Sequence, residues 1–263
     1  MILRCGMIGA NIGRSRFPRA FALMAARAGI DLDYVAVDTA GDPRFDFDAT
    51  VTRMAAEGRT GVTVTHPFKT AAARWAGAAM DAEAAHLGAA NTLLFSPRRG
   101  GNTDHSGFLS CWPSDLAPGR VAVAGAGGVA RAVVPALRRL GAEVHVWDVD
   151  PARAAALAAF GARPAPDAEA ACRGADGLVN CTPLGQAPDT RSAIDLAWIG
   201  PQSWAFDAVY TPTDTPFLRA CAEAGLRTIS GFDLFRHMVV DSFALYTGIR
   251  DGGVMDLLEE LRP

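Results

Sequence analysis

At 263 residues with a formal net charge of −3, the chain is long enough for one large α/β domain or two modest ones. That charge offers no long-range field to draw nucleic acid or an anionic membrane. Half of the residues are hydrophobic and a fifth are charged, an ordinary globular balance, and a chain of this length buries roughly three quarters of its unfolded surface without staples. No Lys/Arg run and no basic stripe interleaved with aromatics is present, which sets nucleic-acid binding aside.

The N-terminal stretch from Met1 to Gly9 is too short in apolar content for a signal peptide or a membrane span and reads as a first buried strand. Short apolar runs then alternate with alanine-rich helical stretches, the pattern of βαβ units and a mostly parallel sheet. In the first part, strands are predicted at residues 3–8, 32–37, 61–65 and 91–95, and helices at 18–28, 48–57 and 68–79. Pro18 suits a first helical turn, and Gly29 and Gly58 read as helix stops. A boundary is expected around residues 106–119, where a short helix with Trp112-Pro113 leads to Pro118-Gly119.

The second part repeats the alternation more regularly. Strands are predicted at 121–124, 144–147, 177–180 and 204–209, and helices at 129–140 and 151–160, with a long helix at 234–246 and a shorter one at 255–261. Five cysteines (Cys5, Cys111, Cys172, Cys181 and Cys221) are scattered without zinc-type spacing and read as reduced, mostly buried thiols of a cytoplasmic protein. His66, His86 and His105 have no ligand-like spacing either, so no metal is expected.

The turn Gly125-Ala126-Gly127-Gly128-Val129-Ala130 follows an apolar strand and opens a helix. Glycines in that setting let the turn close and bring the backbone up to a pyrophosphate seated on the helix N-terminus. Asp148 ends the next strand twenty residues beyond Gly128, where an acidic side chain holds ribose hydroxyls. The joint pattern points to a dinucleotide site.

Far ahead of that turn stand two polar stations, Thr63-Val64-Thr65-His66-Pro67-Phe68-Lys69 and Gly101-Asn102-Thr103-Asp104. A lysine at a helix start is by itself usually a solvated surface charge, and a Gly/Asn/Thr-rich segment is often only a turn. Strand alternation puts the Thr63 and Thr65 hydroxyls on one side.

Taken together and in order, these motifs resemble the shikimate/quinate dehydrogenase family. Gly6-Met7-Ile8-Gly9 with Ser15 and Pro18 is similar to its opening strand and substrate loop. Gly88-Ala89-Ala90-Asn91-Thr92 and Asn102-Thr103-Asp104 with Gly107 match further segments. Asn180-Cys181-Thr182-Pro183-Leu184-Gly185 and Asp207-Ala208-Val209-Tyr210-Thr211-Pro212 resemble its loops beside the nicotinamide. Gly231 and the stretch ending Tyr246-Thr247-Gly248 resemble its closing helix.

The resemblance implies an α/β fold with an N-terminal α/β substrate domain, residues 1–105, on which helices at 234–263 pack back. It also implies a Rossmann-type doubly wound dinucleotide-binding domain, residues 106–233, with a cleft between the two. Lys69 and Asp104 fall where the family places its acid/base dyad. Ser15, Thr65, Asn91 and Tyr210 fall at substrate positions, as do the departures Phe17, Thr63 and Met238, which stand where the family carries a second serine, an asparagine and a glutamine. Gly125, Ala126, Gly127, Gly128, Val129, Asp148, Thr182 and Gly231 fall at cofactor positions.

Second readings stay open for several of these. Asn91 and Thr92 also suit a strand end, Tyr210 a core aromatic with a wet tip, and Cys181 a small packing residue. Asp148-Val149-Asp150 stands where NADP-using relatives carry an Asn-Arg-Thr cluster, so NAD is expected over NADP, although Arg153 lies a helical turn away. The implied partner is a small cyclic hydroxy acid, shikimate or quinate, in a monomer or homodimer with no nucleic acid or membrane partner. The alternatives are a dehydrogenase of a related cyclitol or aminoshikimate-like ring, and a nucleotide-binding homologue without catalysis.

Overall fold

The computed structural model describes residues 1–251 and 253–263. Its chain divides into two compact units, residues 1–103 with 238–261, and residues 104–237 with 262–263.

The first unit runs β1 (Ile2–Gly9), α1 (Phe17–Arg27), β2 (Asp31–Asp38), α2 (Phe47–Ala56), β3 (Gly61–Val64), α3 (Lys69–Ala76), α4 (Ala82–Ala85), β4 (Thr92–Phe95) and β5 (Arg98–Gly101). Its five-stranded sheet has the order β2-β1-β3-β4-β5. The β1–β2 and β1–β3 pairs are parallel, whereas β3–β4 and β4–β5 are antiparallel. The mostly parallel sheet expected from the alternation is therefore mixed here, because β4 runs antiparallel to β3 and the Arg98–Gly101 segment returns on β4 as a hairpin. Thr65 lies beyond β3, so the alternation expected at residues 61–65 stops at Val64. The predicted helix at 68–79 ends at Ala76, where Gly77 takes φ 56° and a 3-10 turn follows.

Helix α1 shows why such segments fold where they do. Phe17, Ala20, Phe21, Met24 and Ala25 recur at helical spacing and are all buried. Phe21 sits at the centre of an aromatic cluster, with ring centroids 5.9 Å from Phe17, 5.7 Å from Tyr34, 5.7 Å from Phe243 and 5.7 Å from Tyr246. Full burial of each such ring contributes on the order of 1.5–3 kcal/mol.

The second unit contains α5 (Thr103–Cys111, of which Thr103 counts with the first unit), β6 (Arg120–Ala124), α6 (Ala130–Arg139), β7 (Glu143–Trp147), α7 (Pro151–Ala156), β8 (Arg163–Pro164) and α8 (Ala168–Cys172). It continues with β9 (Gly177–Asn180), β10 (Trp204–Asp207), α9 (Pro216–Glu223) and β11 (Arg227–Ser230). Helix α10 (Gly231–Thr247) begins here and ends in the first unit, which also holds α11 (Val254–Glu259). The six strands are all parallel, in the order β11-β10-β9-β6-β7-β8. The strand order therefore reverses at β6, the doubly wound arrangement of a Rossmann-type unit. Strand β9 coincides with its predicted span. Strands β8 and β11 and helices α8 and α9 come in addition to the predicted elements, and α10 starts three residues earlier than predicted. Among the described residues no helix is long and apolar enough to cross a membrane.

Candidate active site

In the second unit, the glycine turn joins β6 to α6 at the point where the strand order reverses, the place where open α/β sheets take ligands. Gly125 adopts φ 87°, and a Cβ there would stand 2.7 Å from Thr182 Cγ2. Only glycine allows that approach. A Cβ on Gly127 or Gly128 would meet nothing within 4 Å, so both face open space ahead of the first turn of α6. A turn of this shape, with unencumbered backbone before a ten-residue helix, fits a pyrophosphate.

Asp148, just past β7, is tied to that turn. Its Oδ2 accepts a hydrogen bond from the Ala126 amide at 2.7 Å, and its Oδ1 accepts from the Asp150 amide at 2.9 Å. Asp150 caps α7 by accepting from the Ala152 amide at 3.0 Å and pairs with Arg153 at 3.5 Å. Between them the Val149 side chain is fully exposed.

Beyond β9 and β10 lies a polar knot. Asn180 and Asp207 sit opposite each other at the ends of these strands, and both are wholly buried. Asn180 Nδ2 donates to Asp207 Oδ1 at 2.9 Å and to the Leu184 carbonyl at 3.0 Å. Its Oδ1 accepts from the Thr182 amide at 2.9 Å and from Thr182 Oγ1 at 2.7 Å. Asp207 Oδ1 also accepts from the Val209 amide at 2.9 Å, and its Oδ2 from Thr215 Oγ1 at 2.6 Å. Burial pushes the Asp207 carboxyl up to about 6, against the pull of those hydrogen bonds. Tyr210 stacks on Phe235, with centroids 5.3 Å apart. Gly231 opens α10 so close to the preceding loop that a Cβ there would fall 2.4 Å from the Ala208 carbonyl oxygen.

In the first unit, Lys69 is the half-buried first residue of α3. A cation gains nothing at that end of a helix, whose dipole is positive there, so helix stability does not account for a lysine at this place. The segment before it is anchored by Phe68, whose ring stacks on Phe47 at 5.5 Å, and by the Lys69 carbonyl, which accepts from the Ala90 amide at 2.9 Å. Asn91 is buried, and its Oδ1 accepts from the Thr103 amide at 2.8 Å, Thr103 Oγ1 at 3.2 Å and Thr92 Oγ1 at 3.1 Å. Ser242 of α10 completes this lattice, 3.0 Å from Thr103 Oγ1 and 3.3 Å from Thr92 Oγ1. The backbone and these hydroxyls thus bring Lys69, Asn91 and the start of α5 into one framework. Asp104 follows in the first turn of α5, with only 4 % of its surface exposed.

The remaining first-unit positions fall in different surroundings. Ser15 Oγ accepts from the Phe17 amide at 3.3 Å at the head of α1, and the turn before it is held by Asp38, which accepts from the Asn11 and Ile12 amides at 2.9 and 3.0 Å. Phe17 is buried against Phe21. Thr63 is buried as well, and its hydroxyl lies 3.2 Å from Tyr246 Oη. Thr65 and Met238 are half-buried. Burial pushes the thiols of Cys5, Cys111 and Cys221 up to about 12 and that of Cys172 up to about 11, and it raises Cys181 as well, so these sulfurs pack as neutral groups. Sequence reasoning assigned no role to Asp207, Thr215, Asp38 or Ser242. For Asp207 a signal existed: a carboxylate closing the apolar run Trp204-Ala205-Phe206 has few structural reasons to be there.

A parallel doubly wound sheet with a glycine turn at its switch point, in a chain that also holds a second α/β unit, defines a dinucleotide-binding protein of two-unit type. The family pattern of the shikimate dehydrogenase substrate binding domain matches residues 7–93. The shikimate dehydrogenase (NADP(+)) of Acidiphilium cryptum is 38 % identical over 252 residues, covering 93 % of this chain and 90 % of that protein. The quinate/shikimate dehydrogenase (NAD(+)) of Corynebacterium efficiens is 34 % identical over 263 residues, covering 93 % and 92 %. The quinate dehydrogenase from Corynebacterium glutamicum, solved in complex with NAD, superposes with a TM-score of 0.89 at 29 % identity over 99 % of both chains. The chain belongs to the shikimate/quinate dehydrogenase family and is an NAD(P)-dependent oxidoreductase.

Proposed function

We propose that the protein interconverts shikimate or quinate and the corresponding 3-dehydro ketone, with residues 1–105 and 234–263 forming the substrate domain and residues 106–233 the dinucleotide domain. The observation that carries this reading is Lys69, half-buried at the head of a helix that gains nothing from a cation there, on a framework shared with Asn91. A nicotinamide dinucleotide supplies hydride transfer. Lys69 takes the proton from the reacting hydroxyl during oxidation and returns it in the reverse direction, while Asp104 orients the lysine and the hydroxyl. Thr65, Asn91 and Tyr210 hold ring hydroxyls, and Ser15 meets the carboxylate. Gly125 to Val129 carry the pyrophosphate, Asp148 the adenosine ribose, and Thr182 and Gly231 line the nicotinamide side.

NAD is the favoured cofactor. Val149 offers no cation for a 2′-phosphate, and Asp148 and Asp150 present carboxylates on either side of it. Substrate recognition is shifted at the carboxylate end. Phe17 turns into the core against Phe21 instead of supplying a hydroxyl, and Met238 supplies no amide. These two positions are the specific reason to keep a second reading, a related ring such as an aminoshikimate-like compound.

A screen of shikimate, quinate and neutral cyclitols, with NAD and NADP and reduced-cofactor absorbance as readout, separates the readings. Turnover of shikimate or quinate supports the first, and turnover confined to another ring supports the second. Cofactor binding with no turnover of any cyclic alcohol overturns both in favour of a non-catalytic homologue.

A further inference from the structure

The dinucleotide site has two halves set by the sheet order. Asp148 follows β7 on one side of β6, so the adenosine half lies over β6 and β7, and the nicotinamide half falls on the other side, over β9 and β10. The loops after those two strands are joined by Asp207 and Asn180, whose Cα positions pair in register at the strand ends. Asp207 reaches three separate pieces of chain: Asn180 on β9, the Val209 amide in its own loop, and Thr215 at the N-terminus of α9. Asn180 carries the connection on to Thr182 and Leu184. Thr182 in turn is the residue against which Gly125 packs. A buried carboxylate with no cation beside it among the described residues is an expensive way to tie loops together if stability were the only purpose.

We propose that Asp207 is a positioning residue for the nicotinamide half of the cofactor. As an ionised, wholly buried acceptor it fixes the loops 181–185 and 208–215 in the arrangement that receives the ring. The inference rests on the dinucleotide reading of the glycine turn and on no particular substrate.

The chemistry of the contacts makes the arrangement sensitive to protonation. The carboxylate accepts from three donors. A proton on it puts an O–H against the Thr215 hydroxyl, which is itself the donor in that pair and already accepts from the Leu218 amide at 3.2 Å. One of the two hydroxyl protons then has no acceptor, and the segment from 208 to 215 must shift. The titratable groups facing Asp207 are the thiols of Cys181 after β9 and Cys221 on α9, both kept neutral by burial. Asn180 faces it from β9 and Thr215 from α9, and no charged group among the described residues contributes to its proton affinity.

Asp207→Asn mimics the protonated form, since its amide also brings a donor to Thr215. NADH or NADPH, whichever the unaltered protein binds more tightly, is titrated by fluorescence between pH 5.5 and 8, and ADP-ribose, which lacks the nicotinamide, is titrated by calorimetry. At pH 7.5 Asp207→Asn should bind the reduced cofactor about tenfold more weakly, the size of one disrupted buried hydrogen bond to a charged group, with ADP-ribose affinity unchanged. The unaltered protein should lose cofactor affinity as pH falls through about 6, and the variant should not. Thr215→Val, which removes a hydrogen bond that lowers the carboxyl's proton affinity, should move that midpoint upward, and Thr215→Ser should restore it.

Unchanged cofactor affinity in Asp207→Asn overturns the proposal, and so does an equal loss for ADP-ribose, which would mean damage to the whole unit. If the unaltered protein binds neither dinucleotide, the reading of the glycine turn fails and the proposal falls with it. If no shikimate-like ring is turned over but the cofactor titrations come out as expected, the substrate reading fails and this inference stands.

Discussion

Each unit has a buried asparagine beside a strand that gathers neighbouring segments, and the two do it with different chemistry. Asn91 gathers Thr92, Thr103 and Ser242 into a lattice of amide and hydroxyl groups. Asn180 gathers Thr182 and Leu184 but is itself held by the carboxylate of Asp207. A neutral lattice keeps its geometry across pH, because each donor and acceptor is permanent. A lattice built on a carboxylate keeps its pattern of donors and acceptors only while the proton is off. The framework around Asn91 thus offers one setting across pH, whereas the setting proposed for the loops around Asp207 is one that pH can alter.

The largest effects should come from the two groups proposed to move the proton. Lys69→Ala and Asp104→Ala should each lower kcat by roughly a hundredfold to ten-thousandfold, the usual contribution of general acid/base catalysis. NAD affinity should stay the same, since Asp148 and the glycine turn lie elsewhere in the chain. Near-normal kcat in either variant on the true substrate would refute the dyad. Phe17→Ser should be costly in another currency: a buried ring stacked on Phe21 is removed, with a loss on the order of 3–5 kcal/mol in a denaturant melt. Met238→Gln restores the amide at a half-buried position without that loss, so it gives the cleaner reading of substrate recognition. A lower KM for shikimate in Met238→Gln, at unchanged stability, is the expected outcome.

Much of this was legible in the sequence, and the exceptions share a cause. The glycine turn, β9 and the Lys69 segment carry local signals: glycines between an apolar strand and a helix, an apolar run between turns, a Pro-Phe before a helix start. The hairpin strand Arg98–Gly101 carries none, because two arginines and two glycines have no strand preference. It forms because β4 offers a partner edge and because Gly100 lies under Ala76 and Met80, where a Cβ would be 2.5 Å from one and 2.6 Å from the other. The knot at Asp207 joins it to Asn180, 27 positions away, through parallel register. The Thr63–Tyr246 pair spans 183 residues. Such contacts are set by topology, and no window along the chain contains them.

Cofactor choice sharpens the comparison within the second unit. NADP should have a kcat/KM more than tenfold below that of NAD, from like-charge repulsion and a missing arginine contact amounting to a few kcal/mol. The Arg153–Asp150 pair is exposed on both sides and so holds Arg153 weakly. Asp148→Asn with Val149→Arg should narrow the gap. Equal kcat/KM for the two cofactors in the unaltered protein would show that Arg153 already serves the phosphate.

The charged knot should also show in stability, with a sign opposite to that of cofactor binding. The folded carboxyl of Asp207 sits at about 6 against an ordinary 3.8, so between those values the folded state holds more protons than the unfolded one. Asp207 therefore contributes a stabilisation that is complete below 3.8 and is lost as pH rises through 6. The contribution gained on going from pH 7.5 to 5 is about 1.4 kcal/mol. Against Asp207→Asn, which has no such proton, the unaltered protein should gain that amount over this range in paired denaturant melts. A constant difference between the two would mean that the carboxyl titrates in its ordinary range and that the knot is not strained by its charge.

A last comparison, of similar size, tests the neutral side. Thr63 stands where the family carries an asparagine, and the strand pattern suggested a hydroxyl shared with Thr65 on one face. The structure instead sets the Thr63 hydroxyl 3.2 Å from Tyr246 Oη, both groups buried, with burial raising Tyr246 far above its ordinary range. Thr63→Val keeps the shape and removes one partner, which should reduce stability by about 1–2 kcal/mol, the penalty of an unpaired buried hydroxyl. Removing the other partner as well, with Tyr246→Phe in the same chain, should recover part of that loss, because two apolar groups facing each other leave nothing unsatisfied. Since the hydroxyl is directed at Tyr246, KM for the substrate should be the same in Thr63→Val as in the unaltered protein. A rise in KM without a fall in stability would return Thr63 to the substrate side and make Tyr246 the residue that needs another explanation.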